Sequence, residues 1–184
     1  MTVALQKKIC MLGAFSVGKT SLVKRYVESI FSETYITTVG VKIDKKVVEV
    51  GKKQVTLVLW DIAGEDALTT VRPSQLRGAS GYILVVDGLR RSTYETALDL
   101  QRRVHEAIGP VPFLCVLNKS DLRERWEVTN AEVEALRQKG WHVLYGSAKN
   151  GEGVENLFQE LTSAILKVPN VRDDAASEAT LRDI

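Results

Sequence analysis

Short runs of apolar and β-branched residues alternate along the chain with longer stretches in which apolar residues recur every three or four positions. The short runs predict six strands, near Lys8 to Leu12, Val39 to Val50, Gln54 to Trp60, Gly81 to Asp87, Pro112 to Asn118 and Trp141 to Gly146. Only Gly51-Lys52-Lys53 separates the second from the third, which fits a tight hairpin and makes that pair antiparallel; the other strands read as parallel. Helices are predicted from Gly18 to Ser29, Ser92 to Ile108, Thr129 to Lys139 and Gly153 to Lys167, with a shorter one after Glu65. In the last long helix Val154, Leu157, Phe158, Leu161 and Ile165 fall on one face. Ser92 and Thr129 sit where N-caps belong, and Gly140 and Pro169 at or beyond C-termini. The expected fold is a single α/β domain over residues 1–168, a six-stranded, mostly parallel sheet with one antiparallel hairpin strand and helices on both faces. Residues 169–184 are small and charged with little periodicity, and read as a flexible tail.

Composition narrows the function. The chain has 184 residues, 45% apolar and 26% charged, enough for one core without disulfides or structural metal. Cys10 and Cys115 lie inside apolar runs and read as small buried hydrophobes in a reducing compartment. Twenty-five basic against 23 acidic residues leave a net charge of +2, too small to make nucleic acid or anionic lipid the primary partner. The longest apolar runs are about five residues, against about 20 for a membrane span, and no signal peptide is evident, so a cytoplasmic protein is expected.

The chemistry lies at the ends of the predicted strands. Gly13-Ala14-Phe15-Ser16-Val17-Gly18-Lys19-Thr20 fits the phosphate-binding loop pattern and sits between a strand and a helix, as its mechanism requires. Its glycines let the backbone wrap an anion, and successive N–H groups and the helix N-terminus point at phosphates. Lys19 can reach the terminal phosphates and the Thr20 hydroxyl can coordinate Mg²⁺; Ser21 follows on the first helical turn. Leu57 to Gly64 places Asp61 at the end of a buried strand, where its carboxylate can hold a Mg²⁺-bound water. Asn118-Lys119-Ser120-Asp121 follows the fifth strand and Ser147-Ala148-Lys149 the sixth. A buried-strand Asp or a lone Asn-Lys pair says little; their order along one chain says more.

With these motifs in this order the chain resembles the Ras-like small GTPases over about residues 5 to 167, and Thr37-Thr38-Val39-Gly40-Val41 and Leu76-Arg77-Gly78-Ala79 look most like the Rab branch. The resemblance implies a P-loop NTPase domain that binds GTP and GDP with Mg²⁺. Asp121 would accept two hydrogen bonds from guanine, from N1 and the exocyclic amine, whereas adenine presents an acceptor at N1. Asn118 and Lys119 would brace the base site, Ala148 would offer its N–H to guanine O6 beside Ser147 and Lys149, and Phe31 would lie against the base or ribose. Thr38 would join Thr20 and, through water, Asp61 around the metal. Gly64 would bond the γ-phosphate, so hydrolysis would release two switch loops, about Ser32 to Val41 and Gly64 to Leu76. Effector, exchange and activating proteins would read those loops, and no obligate oligomer is expected.

Three features depart from the family. Glu65 stands where the water-orienting glutamine usually follows Gly64, beside the other two residues assigned to catalysis, Lys19 and Gly64. Its negative charge near the γ-phosphate is expected to impair hydrolysis, a general-base role being the alternative. Phe15 and Ser16 occupy loop positions that are usually small or glycine, and Phe15 can fill the space an arginine finger would use. The chain ends Leu181-Arg182-Asp183-Ile184, without a cysteine for prenylation, and the N-terminus lacks the glycine for myristoylation, so no direct lipid anchor is expected. The expected function is a slow GTPase switch; a guanine-nucleotide scaffold without meaningful turnover is the alternative. A P-loop ATPase or nucleotide kinase is disfavoured by Asp121 and by the lack of an arginine-rich lid. His105 and His142 read as ordinary helix and strand residues, Arg72 as a solvated helix-face residue, and Arg123 to Arg125 with Trp126 as a solvated loop rather than an RNA-binding patch.

Overall fold

The computed structural model describes residues 5–28, 33–36, 41–64 and 70–169. In chain order the elements are β1 (Leu5–Gly13), α1 (Lys19–Val27), β2 (Glu33–Ile36), β3 (Val41–Val50), β4 (Lys53–Ile62), α2 (Pro73–Leu76), β5 (Gly81–Asp87), α3 (Ser92–Ile108), β6 (Phe113–Asn118), a 3₁₀ segment (Ser120–Arg125), α4 (Asn130–Gln138), β7 (Val143–Tyr145) and α5 (Val154–Lys167). The strands form one sheet in the order β2-β3-β4-β1-β5-β6-β7. β3 runs antiparallel to β4 as the hairpin predicts, and β4, β1, β5, β6 and β7 are mutually parallel.

The sheet has seven strands, one more than expected. Glu33–Ile36 adds an antiparallel edge to β3, in register from Glu33↔Lys45 to Ile36↔Lys42. Glu33-Thr34-Tyr35-Ile36 does not alternate polar with apolar residues, so its own pattern marks no strand, and the element is defined by its ladder with β3. Other boundaries also moved. Trp141 is not in the last strand, because its N–H donates to the Leu136 carbonyl at 3.1 Å and closes the end of α4, leaving Val143–Tyr145 to pair with β6. Ser92 begins α3 without capping it; the Thr93 hydroxyl binds the strand-to-helix corner instead, accepting from the Asp87 N–H at 3.0 Å. Thr129 caps α4 as expected, in a reciprocal capping box with Glu132. Phe31, Thr38, Glu65, the C-terminal tail from residue 170, the expected end of the first helix at Ser29 and the start of the second strand at Val39 lie outside the described residues.

Each sheet face carries its own core. Leu22, Val23 and Tyr26 of α1 and Leu157, Phe158 and Leu161 of α5 cover one face, with Tyr26 and Phe158 stacked at 3.9 Å. Leu100 and Val104 of α3 and Val133 and Leu136 of α4 cover the other. Cys10 and Cys115 are buried, and burial pushes both thiols up to about 12, which removes thiolate reactivity near neutral pH. Among the described residues no helix is long and apolar enough to cross a membrane. The parallel strands all finish at one edge of the sheet, at Gly13, Ile62, Asp87, Asn118 and Tyr145, the edge where open α/β sheets bind ligands.

Candidate nucleotide-binding site

The phosphate loop is shaped by contact with its neighbours. A Cβ on Gly13 would fall 2.5 Å from the Val85 carbonyl oxygen, and one on Gly18 would fall 2.2 Å from Asn118 Nδ2. Both residues also have positive φ, 153° and 103°, so glycine is required for space and for backbone. Ser16, with φ of 59°, takes the left-handed turn between them. Val17 is buried, whereas Phe15 is 62% exposed. Gly18 is the N-cap of α1, so the first free N–H groups of that helix open into the loop.

Lys19 is buried, and its Nζ donates to the Gly13 and Ala14 carbonyls at 3.2 and 2.9 Å. These two bonds bring the ammonium to the inner wall of the loop, where it would meet an anion bound there. Gly64 lies against the same loop. A Cβ there would fall 2.6 Å from both the Ala14 oxygen and the Phe15 Cα and 2.7 Å from Lys19 Nζ. A cavity of about 720 Å³ opens over these groups, with Ser16, Thr20, Ser21, Lys42 and Asp61 also on its wall.

On that wall the Thr20 hydroxyl donates to Asp61 Oδ2 at 2.5 Å. Burial pushes the Asp61 carboxyl above its usual range, opposed by the Thr20 bond and by Lys19 and Lys42. Among the described residues no group of three or more His, Cys, Asp or Glu side chains is placed to hold a metal. A hydroxyl and a carboxylate meeting beside a phosphate loop suit Mg²⁺, which takes one or two protein oxygens and completes its shell with phosphate and water. The donor set therefore fits the expected ion.

Asn118 joins the two halves of the site. Its Nδ2 donates to the Val17 carbonyl at 2.9 Å, and its Oδ1 accepts from the Ala148 N–H at 3.1 Å. The Ala148 amide assigned to guanine O6 thus points into the site but is engaged by Asn118. Asp121 is held by the Ser147 hydroxyl, which donates to Oδ1 at 2.7 Å, while Lys149 Nζ stands 3.9 Å from Oδ2. A second cavity of about 320 Å³, lined by Asn118, Lys119, Asp121, Ser147, Ala148 and Lys149, adjoins the first across Gly18 and Ser21.

Three supporting residues are absent from the motif reading. Asp87 ends β5 level with Asn118 and is fully buried. Its Oδ2 accepts from Lys119 Nζ at 2.7 Å and Arg90 Nε at 2.9 Å, and Arg90 Nη2 continues to the Phe15 carbonyl at 2.8 Å. Burial raises the Asp87 carboxyl, but the bonds from Lys119, Arg90 and the Leu89 N–H outweigh it and hold the group below the usual range. Arg25 of α1 donates to the Ala148 carbonyl at 3.2 Å and also to that of Lys149. An acidic residue ending a wholly apolar strand is the one sequence signal that could have exposed Asp87; Arg90 and Arg25 carry none.

A glycine-shaped anion loop ending a parallel strand, a hydroxyl–carboxylate pair beside it and a carboxylate-lined cavity next door define a P-loop nucleotide-binding domain. Comparison with known proteins agrees and goes further. A model of the Ras family matches residues 8–167. The Ras-related protein Rab-21 of Mus musculus is 32% identical over 170 residues, covering 91% of this chain and 77% of the relative. The Ras-related protein Rab-4 of Dictyostelium discoideum is 35% identical over 161 residues, covering 86% and 78%. The Ras-related protein SEC4 of Saccharomyces cerevisiae is 37% identical over 160 residues, covering 86% and 74%. The chain belongs to the Ras family of small GTP-binding proteins, on the side of the Rab branch.

Proposed function

We propose that this protein is a guanine-nucleotide switch that binds GTP and GDP with Mg²⁺, hydrolyses GTP slowly and presents its two switch segments to effector, exchange and activating proteins. The observation that carries the reading is Asn118, which ties the phosphate loop at Val17 to the loop of Ser147 and Ala148 and so joins an anion site to a base site. In this reading residues 1–168 act as one GTP-binding domain and 169–184 as its tail.

Lys19 exchanges its carbonyl partners for the β- and γ-phosphate oxygens, and N–H groups from Ala14 to Ser21 line the phosphates. Thr20 and Thr38 would hold Mg²⁺ directly and Asp61 would hold it through water, and the ion would supply charge neutralisation at those oxygens. The base enters the second cavity, where Asp121 accepts the N1 and amino protons, Lys119 and Asn118 flank the ring and Phe31 closes the ribose side. Gly64 donates its N–H to the γ-phosphate and Glu65 faces the attacking water. Water adds to the γ-phosphorus as its bond to the β–γ bridging oxygen breaks, leaving GDP, phosphate and a proton for solvent. The Gly64 and Thr38 contacts then have no γ-phosphate to hold them, and both switch segments are released.

A second reading, a scaffold that signals by occupancy without turnover, is favoured by Phe15, whose exposed side chain lines the cavity over the phosphate loop. Identifying the nucleotide carried by the purified protein, then titrating it with GTP and ATP by calorimetry, tests the first reading. Two charge-assisted bonds to Asp121 separate the nucleotides by at least about a hundredfold; equal affinities would end it. Single-turnover hydrolysis separates the two readings, the scaffold predicting no phosphate release over many hours.

A further inference from the structure

Trp126 closes the 3₁₀ segment that carries Asp121, and its indole is seated on Gly88. A Cβ at Gly88 would fall 2.2 Å from indole Cε2 and 2.4 Å from Nε1. The backbone of Gly88 is not in the left-handed region, so space for the ring, not conformational freedom, is what demands glycine there. From that seat Nε1 donates to the Lys119 carbonyl at 3.0 Å.

The Lys119 carbonyl is a sensitive point. Lys119 is a non-glycine residue in the left-handed region, with φ of 67°, a conformation that persists where its surroundings over-determine it. The same carbonyl accepts from the Leu122 N–H at 2.9 Å, opening the 3₁₀ turn through Asp121. The contact is reinforced on each side. Gly88 N–H donates to the Asn118 carbonyl at 3.3 Å, and the Gly88 carbonyl accepts from the Glu127 and Val128 N–H groups at 2.9 and 3.2 Å. Outside, the Arg123 guanidinium lies 4.3 Å from the Tyr145 ring and 5.8 Å from the Trp126 ring, within cation–π reach of both. Trp126 is thus part of the frame of the base-reading loop, not of a solvated loop.

We propose that Trp126 is a positioning residue for guanine recognition: docked on Gly88, it holds the Lys119 carbonyl so that the following turn aims the Asp121 carboxylate at the base. The proposal rests on the guanine-binding reading above. Its readout is the ratio of GDP to IDP affinity, because IDP lacks the exocyclic amine that Asp121 would accept from, and a general loss of stability weakens both nucleotides alike.

Full-length wild type, Trp126→Phe, Gly88→Ala and the double variant Gly88→Ala/Trp126→Leu are titrated with GDP, IDP and ADP, with thermal unfolding run alongside. Trp126→Phe leaves an aromatic ring beside Gly88 but removes the donor N–H together with the second ring of the indole, and should lower the GDP to IDP ratio by about two- to tenfold, the worth of one hydrogen bond. Gly88→Ala displaces the indole and should lower the ratio at least as far. The double variant relieves the clash without restoring the donor, so its unfolding temperature should recover while its ratio stays low. Unchanged ratios in Trp126→Phe and Gly88→Ala, whatever their stability, would reduce Trp126 to a packing residue and overturn the proposal. Equal binding of GDP and ADP by wild type would overturn the guanine reading itself, a failure distinguishable because it needs no variant.

Discussion

Asn118 and Val17, 101 residues apart, are joined by a 2.9 Å hydrogen bond from the asparagine side-chain amide to the loop carbonyl, with both groups buried. The other end of the same amide accepts from Ala148. Asn118→Ala leaves a buried carbonyl and an amide N–H unmet at once, each costing about 1–3 kcal/mol. GDP affinity should fall by at least about tenfold, with a drop in unfolding temperature of at least about 2 °C. Wild-type affinity in this variant would show that the bridge does not join the two halves of the site.

Asp121 should set the base. Its Oδ1 takes the Ser147 hydroxyl, and an asparagine amide oxygen can take it equally, so Asp121→Asn preserves the loop while exchanging an acceptor for a donor on the ligand side. Guanine affinity should fall by at least about a hundredfold and xanthine nucleotides should become the better ligands. Competition of GDP and XDP against a fluorescent nucleotide reads this directly, and an unchanged preference for GDP would move base recognition elsewhere.

Gly64 lies so close to the phosphate loop that a methyl group would strike Ala14, Phe15 and Lys19. Two of those three contacts are backbone and cannot step aside. Gly64→Ala should therefore hold this segment off the loop, keeping GDP affinity within about threefold of wild type while removing the extra hold on a GTP analogue. Parallel titrations with GDP and a non-hydrolysable GTP analogue decide it; equal retention of both would mean that Gly64 does not contact the γ-phosphate.

What was legible in the sequence is what is contiguous in it. Gly13 to Thr20, Asn118 to Asp121 and Ser147 to Lys149 each carry their chemistry within a few residues, and an apolar strand before each announces the sheet edge where they meet. Asp87, Arg90 and Arg25 act on those motifs from elsewhere, and no local pattern records that Arg90 reaches Phe15 or that Arg25 reaches Ala148. Trp126 misleads for a related reason. Beside Arg123, Glu124 and Arg125 it looks solvated, and only the bare backbone of Gly88, on another strand end, makes room for it. The edge strand at Glu33–Ile36 was missed because its evidence lies in its partner, β3.

Asp87 yields a prediction about acid. Its carboxyl is held below the usual range, so the stability it contributes is fully present above the unfolded value, about pH 4, and is lost as the pH falls through its lower folded value. Asp87→Asn removes the charge that Lys119 and Arg90 share. The unfolding temperatures of wild type and Asp87→Asn should therefore differ by a steady gap from about pH 7 to about pH 5, narrowing only below about pH 4. A gap that already closes between about pH 7 and pH 5 would contradict the lowered carboxyl.

The rate of hydrolysis turns on Glu65 and Phe15. Small GTPases with a water-orienting glutamine hydrolyse at about 3 to 5 × 10⁻⁴ s⁻¹ unaided, and an arginine finger raises this by up to about 10⁵-fold. Glu65 has the length of glutamine but no amide donor, and two like charges about 4 Å apart repel by about 1 kcal/mol even in bulk water. The single-turnover rate of wild type should lie at or below the unaided order, and Glu65→Gln should raise it by about fivefold or more. Phe15 is exposed on the wall of the cavity over the phosphate loop, and in the proposed reading its ring would obstruct an arginine supplied by an activating protein. Phe15→Gly should have little effect on the unaided rate yet increase the response to a finger-type activator. A slower Glu65→Gln would reverse the sign and make the carboxylate a general base for the attacking water. Wild type and Glu65→Ala that are equally inert would favour the occupancy scaffold, because a carboxylate whose removal changes nothing is neither orienting the water nor repelling the phosphate.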